Sequence, residues 1–249
     1  YSAAMNNLAH LYQNELKEYD NAIKYYKMAI SKDNLDSMYN LGNLYRIELK
    51  EYDNAIKYYK MGISKNHLSS MFGLAYLYQN ELKEYENAIK YYHMLVEKDN
   101  SSAMNNLAIL YFDISKEKQE SLKLMQKAVK IEKNKNTTYS LSIMQLWNDL
   151  YQESINTIEN LINDFEYKDF IDPMIEYLIL LLSKKQYHLA YNLFEKYANL
   201  KDEFKPIYYT LMKLLKDEYT KEYLKIGSQL EENVEQILVK IEEKVKKYK

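Results

Sequence analysis

The stretch LKEYDNAIKYYKM occupies residues 16–28, recurs unchanged at residues 49–61, and recurs as LKEYENAIKYYHM at residues 82–94. The copies are 33 residues apart, and the same offset relates Met5 to Met38 outside the copied stretch. A fixed period of this length is typical of solenoids, in which each repeat packs against its neighbours. A single repeat is also shorter than the roughly 40 residues that an isolated chain usually needs to bury a core. The sequence therefore predicts one array of stacked repeats.

Each repeat is predicted to contain two α-helices. Glycine occurs only 4 times and proline only twice among 249 residues, whereas helix-forming residues are abundant. In the second repeat, Met38, Leu41 and Tyr45 have the spacing of one apolar helical stripe, and Ala55 and Ile56 begin a second stripe. The expected fold class is therefore all-α, built from stacked antiparallel helix pairs.

The two helices of a pair are predicted to meet through small and large side chains. Gly42 leaves a hole where the partner helix comes close, and the ring of Tyr59 is large enough to fill it. Residues 48–52 form the predicted corner between the helices, and Asp53 or Asn54 is the predicted cap of the second helix.

The array is predicted to have a regular part and a degenerate part. Residues 1–134 hold four repeats of period 33, and residues 135–249 continue the array with degenerate helical hairpins. The first helix of the fifth pair has slipped by about one residue. An amphipathic helix at residues 219–247 is expected to cap the array, with a homodimeric coiled-coil seam as the alternative. The other helices predicted in the degenerate part lie at about residues 137–147, 149–165, 172–182, 187–200 and 206–216.

The repeat pattern resembles the tetratricopeptide-repeat superfamily, and the block Ala–x–x–Tyr–Tyr followed by Met–Ala–Ile resembles its Sel-like subtype. The usual loop glycine after the first helix and the closing proline are both missing. The resemblance implies a right-handed superhelix and an adaptor role in protein complexes. The residues that carry it are, in the first repeat, Leu8, Ala9, Tyr12, Ala22, Tyr25, Tyr26 and Ala29.

In this family the first helix of each repeat lines an inner groove, and twelve residues here are predicted to face that groove. Their amides can bond the backbone of an extended peptide, and their aromatic rings can hold its side chains. The alternative is that the amides are solvated or bridge adjacent first helices. Family members that clamp a C-terminal carboxylate use Lys and Arg, and only Arg46 is available here, so that ligand is not expected. The groove residues are Asn6, His10, Gln13, Tyr39, Asn43, Arg46, Phe72, Tyr76, Gln79, Asn105, Ile109 and Phe112.

Charge and motifs argue against catalysis and against nucleic-acid binding. The 34 basic side chains are balanced by 36 acidic ones, without the basic stripe of a nucleic-acid reader. Cysteine is absent, and none of the four histidines belongs to a HExxH-like metal-binding pattern. No phosphate-binding loop or activated nucleophile is recognisable. We therefore expect no enzymatic activity, no cofactor, no metal and no nucleic-acid partner.

No apolar run approaches the roughly 20 residues needed to span a membrane, and the longest covers residues 178–182. The absence of cysteine fits a reducing compartment, so a cytoplasmic location is expected. Tyr1 lies within a helical pattern, so we expect the chain to be a fragment of a longer protein.

The expected function is a non-enzymatic scaffold or adaptor that binds a partner protein or an extended peptide in the inner groove. Two alternatives remain open. The chain could be the recruitment or regulatory domain of a larger enzyme, or a homo-oligomeric structural protein joined through its last helix.

Overall fold

The computed structural model describes residues 1–164 and a few positions beyond them. All regular structure in this described part of the chain is helical, which confirms the predicted all-α solenoid of stacked helix pairs. Two compact units are present, Tyr1–Thr137 and Thr138–Lys249. The helices predicted at 206–216 and 219–247 lie outside the described residues, and those predicted at 172–182 and 187–200 are described only at a few positions. The positions described beyond residue 164 are Tyr177, Leu178, Leu180, Leu181, Gln186, Leu189 and Leu193.

The first unit contains four helix pairs, one for each predicted repeat. The first helices of the pairs are α1 (Ser2–Leu11), α3 (Leu35–Leu44), α5 (Leu68–Leu77) and α7 (Ser101–Leu110). The second helices are α2 (Tyr19–Ile30), α4 (Tyr52–Ile63), α6 (Tyr85–Val96) and α8 (Lys118–Ile131). Each helix contacts its pair partner, and α2, α4 and α6 also contact the first helix of the following pair.

In the first unit, every first helix ends in a π-helical turn, in which each hydrogen bond spans one residue more than in an α-helix. The turns cover Tyr12–Leu16, Tyr45–Leu49, Tyr78–Leu82 and Tyr111–Ser115. A lysine follows each turn in the left-handed conformation, with φ of 56° or 57°: Lys17, Lys50, Lys83 and Lys116. Lysine therefore adopts the conformation that a glycine would take without steric cost.

The predicted start of the second helix is wrong. Helix α4 begins at Tyr52, so Asp53 and Asn54 lie inside its first turn and neither caps it. The N-cap position belongs to Glu51, and the amide nitrogen of Asn54 donates to the Glu51 carboxylate at 2.6 Å. This contact holds the Glu51 side chain beside the helix start and does not occupy a backbone N–H.

The buried core residues recur with the 33-residue period of the sequence. The rings of Tyr26, Tyr59 and Tyr92 are fully buried at equivalent positions of consecutive second helices. The predicted contact of Gly42 with Tyr59 is confirmed, because a Cβ built on Gly42 would lie 2.6 Å from the Tyr59 ring. In the first three pairs, a second set of tyrosines joins the end of the first helix to the second helix by ring stacking; Tyr45 and Tyr58, for example, have centroids 5.6 Å apart.

The second unit includes most of α9 (Lys135–Trp147) and all of α10 (Tyr151–Asp164). Ser154 Oγ of α10 donates to the carbonyl of Ser142, which lies 12 residues earlier. In the fourth pair, the equivalent Ser121 Oγ donates to the carbonyl of Ala108, 13 residues earlier. No π turn follows α9, so one residue fewer separates the two partners. The missing π turn accounts for the predicted one-residue slip of this first helix.

Candidate functional site

Among the first helices, α3 contacts both α1 and α5, whereas consecutive second helices contact each other less. A stack whose members approach more closely on one side bends toward that side. These contacts are compatible with the predicted position of the first helices on the inner face of the first unit.

All twelve residues predicted to face the groove lie in first helices or in their π turns. His10 and Tyr76 are exposed and the other ten are half-buried, so each retains some access to solvent. These positions are compatible with the predicted groove, but ligand binding by the twelve residues stays a prediction. We call this set of residues the inner groove.

Buried tyrosines of the second helices reach the amides of the inner groove. Their rings are fully buried, and burial raises the pKa of Tyr26 and of Tyr59 to about 12, so these phenols keep their protons well above neutral pH. Because the amide oxygen accepts the phenol proton, the amide NH₂ group is left to donate to a ligand. The three bonds run from Tyr26 to Gln13 (2.9 Å), from Tyr59 to Asn43 (2.6 Å) and from Tyr92 to Gln79 (2.8 Å).

Two groove asparagines instead bond other side chains of the first helices. Asn6 Oδ1 accepts from Ser37 Oγ at 2.8 Å and from Asn40 Nδ2 at 3.0 Å, which links α1 to α3. Asn105 Nδ2 donates to Asn106 Oδ1 at 3.2 Å within α7. The alternative to ligand binding was that groove amides bridge adjacent first helices. Asn6 makes such a bridge, whereas the Asn105 bond stays within one helix.

Arg46 contributes the only guanidinium of the inner groove, and its charge is already paired. Its Nη1 lies 3.5 Å from a Glu81 carboxylate oxygen, and its guanidinium lies 5.1 Å from the ring centroid of Tyr76. Its side chain is only 16% exposed. The middle of the groove therefore offers aromatic rings and amides with little net charge, which suits an uncharged stretch of polypeptide.

Sequence reasoning missed the buried tyrosines as part of the site. The available signal was a tyrosine in the second helix with an amide 13 residues before it, as in Tyr26 with Gln13 and Tyr92 with Gln79. In the middle repeat that position holds Arg46, and Asn43 accepts the Tyr59 bond instead. Gln13 and Gln79 lie in π turns, which the sequence analysis did not predict.

Among the described residues, no three histidine, aspartate or glutamate side chains come together as a metal site would require. In the same part of the chain, no helix combines the length and the apolar composition required to cross a membrane.

The fold and the inner groove define a helical-repeat solenoid. Tetratricopeptide-repeat models match residues 4–38, 35–64 and 69–101, and a Sel1-repeat model matches residues 101–130. The chain therefore belongs to the tetratricopeptide-repeat superfamily and carries a repeat of the Sel-like type.

Solved structures of repeat proteins resemble this chain at low sequence identity, and the likeness shows the fold alone. The protective antigen c5321 of uropathogenic Escherichia coli, which displays an SLR fold, is 15% identical with a TM-score of 0.61, over 98% of this chain and 53% of its own. The chain thus spans about half the length of that protein. A tetratricopeptide repeat protein of Parabacteroides merdae is 19% identical with a TM-score of 0.59, over 96% of this chain and 98% of its own.

A Sel1 repeat protein of Oxalobacter formigenes is 15% identical with a TM-score of 0.54, over 81% of this chain and 89% of its own. A comparison with curated proteins found no match.

Proposed function

We propose that this protein is a non-enzymatic scaffold that binds an extended segment of a partner protein in the inner groove of its first unit. Tetratricopeptide and Sel1 repeats indicate a protein–protein interaction scaffold. The observation that carries the proposal is the row of groove amides whose oxygens accept bonds from buried tyrosines. Their NH₂ groups are thereby directed to donate to the backbone carbonyls of a ligand.

The aromatic residues of the inner groove supply the side-chain contacts of the proposed complex. Tyr76 is 38% exposed and Phe72 is half-buried, with its ring edge-on to Tyr92 at a centroid distance of 5.9 Å. Rings held in this way lose little conformational freedom on binding, which favours affinity. Because Arg46 is neutralised by Glu81, we expect the bound segment to be largely uncharged.

The test begins with panning a random-peptide display library against the full chain and synthesising the selected peptides. Binding is then titrated by fluorescence anisotropy against two variants of matched exposure, Tyr76→Ala in the groove and Met61→Ala on a second helix. We expect Tyr76→Ala to weaken binding by about tenfold, equivalent to about 1.4 kcal/mol, and Met61→Ala to leave it unchanged.

Ionic strength provides a second readout of the same complex. A site without net charge predicts nearly equal dissociation constants in low and high salt. The proposal is wrong if folded Tyr76→Ala binds every selected peptide as tightly as the parent chain does.

A further inference from the structure

The side-chain amides of the inner groove have their oxygen atoms engaged within the protein. Those of Gln13, Asn43 and Gln79 accept the phenol protons of fully buried tyrosines. Asn6 Oδ1 accepts two bonds from neighbouring side chains, and Asn105 Oδ1 is buried out of a ligand's reach. All five groove amides therefore offer a ligand an N–H donor more readily than an oxygen acceptor.

A second contact fixes the direction of the bond between Tyr92 and Gln79. The phenol oxygen of Tyr92 accepts a hydrogen bond from Asn106 Nδ2 at 3.0 Å, and an amide nitrogen can only donate. Because a phenol carries a single hydrogen, that hydrogen points at Gln79 Oε1, 2.8 Å away. The NH₂ group of Gln79 is consequently the end of the amide that is left for a ligand.

Two ionisable side chains that could accept from a ligand are also engaged. One carboxylate oxygen of Glu81 lies 3.5 Å from Arg46 Nη1, and the other accepts from the Tyr52 phenol at 3.3 Å. A ring nitrogen of His10 is bonded to the Asn14 amide at 2.8 Å. The shortage of acceptors therefore extends beyond the amides of the groove.

This balance of donors and acceptors selects among possible polypeptide ligands. The phenols of Tyr39 and Tyr76 can donate as well as accept, and Arg46 can only donate. An ordinary segment brings one N–H for each carbonyl, and an N–H that loses water without gaining an acceptor costs free energy. Proline keeps the carbonyl and has no N–H. The inner groove therefore favours a segment in which carbonyls outnumber N–H groups.

We propose, taking the proposed function as the starting point, that the segment bound in the inner groove is proline-rich and lies there as a polyproline II helix. Such a helix has no internal hydrogen bonds, so its carbonyls are available to the groove amides. Its pyrrolidine rings pack on exposed Tyr76 and on half-buried Tyr39 and Phe72, since aromatic-lined grooves suit proline-rich segments. Proline is also uncharged, which matches a groove whose Arg46 is paired with Glu81.

The probe is a dye-labelled decapeptide of proline, titrated against the full chain by fluorescence anisotropy. At about 3.1 Å per residue it is roughly 30 Å long, about the width of four packed helices. A second peptide has alanine at every other position, and a third has N-methylalanine there, which again lacks the N–H. We expect alanine to weaken binding by about tenfold and N-methylalanine to restore most of the loss.

Two neighbouring tyrosines of α4 provide matched variants for the same titrations. Tyr59→Phe removes the phenol that holds the Asn43 oxygen, so the amide can turn that oxygen toward a ligand. The preference for proline over alanine should then shrink several-fold. Tyr58→Phe removes a phenol from a ring that stacks on Tyr45, and it should leave the preference unchanged. A general loss of structure would weaken both peptides equally and leave their ratio as it was.

Equal affinity for the three peptides would overturn the proline preference, as would an equal change of the ratio in Tyr59→Phe and Tyr58→Phe. If peptides selected by display bind through Tyr76 while the proline decapeptide shows no binding up to about 100 μM, the proline preference is wrong and the proposed function stands. If neither kind of peptide binds, both are wrong.

Discussion

The glycine at position 73 provides the sharpest test of how the array is packed. Gly73 lies inside α5 and faces the Tyr59 ring, which lies between α3 and α5. A Cβ at this position would lie 2.7 Å and 2.9 Å from two ring atoms of Tyr59, and 3.2 Å from the ring of Tyr39. Tyr59 cannot retreat, because its ring already fills the space beside Gly42, where a Cβ would lie 2.6 Å away.

Two opposing effects set the magnitude for Gly73→Ala. Replacing a glycine inside a helix by alanine ordinarily raises the free energy of unfolding by about 1 kcal/mol. Overfilling a packed core lowers it by about 1–3 kcal/mol. Since both neighbouring glycines are in contact with the ring, we expect the second effect to win, with a net loss of about 1–2 kcal/mol.

The assay is urea unfolding of the full chain followed by circular dichroism, in the parent and in a Tyr59→Leu background. Leucine lacks the distal ring atoms that meet the new Cβ, so Gly73→Ala should become stabilising by about 0.5–1 kcal/mol in that background. Repeat arrays can lose cooperativity, so both the midpoint and the slope of the transition are compared. Stabilisation of equal size in both backgrounds would refute the packing argument.

Three further predictions concern backbone, cap and pH. Lys50→Gly should raise the free energy of unfolding by about 0.5–1 kcal/mol, because glycine adopts the left-handed conformation of residue 50 without strain. Lys60→Gly, inside α4, should lower the free energy of unfolding by a similar amount, and a change of the same sign in both variants would contradict the reasoning. Asn34→Ala should lower the free energy of unfolding by about 1 kcal/mol in thermal or urea unfolding, because the Asn34 side chain accepts a hydrogen bond from the Ser37 backbone N–H at 2.8 Å. His67→Asn should stabilise α5, because His67 makes no side-chain bond to a backbone N–H at the start of that helix. Burial raises the pKa of Tyr59 to about 12, so the unfolded chain loses the Tyr59 proton near pH 10 while the folded chain keeps it. The free energy of unfolding should therefore fall by about 2–3 kcal/mol as the pH rises from about 10 to about 12, and Tyr59→Phe should remove this part of the pH dependence.

Most of the fold could be predicted from the sequence, because the 33-residue period is visible in the types of side chain alone. Apolar residues at helical spacing, such as Met38 and Leu41, must be buried, and short repeats can bury them only against one another. The Gly42–Tyr59 contact was predictable for the same reason, since it depends only on the sizes of two side chains.

The helix ends were less predictable than the helix faces. A π turn adds one residue at the end of a first helix without disturbing the apolar stripe before it, so the hydrophobic pattern does not reveal it. Asp53 and Asn54 have the chemistry of caps, yet the turn and Lys50 place the helix start at Tyr52, and both residues then fall inside the helix.

The inner groove shows the same division between side-chain chemistry and three-dimensional placement. That Gln13 carries an amide is a matter of sequence, but which end of the amide faces a ligand depends on the Tyr26 phenol that binds its oxygen. Leu11 and Leu44 are the same residue at the same repeat position, and one is 46% exposed while the other is fully buried. The sequence by itself determined the repeat, the helices and the residues available for binding. The tertiary structure alone decided which of them are covered, because burial is supplied by a neighbouring helix pair and not by the residue itself.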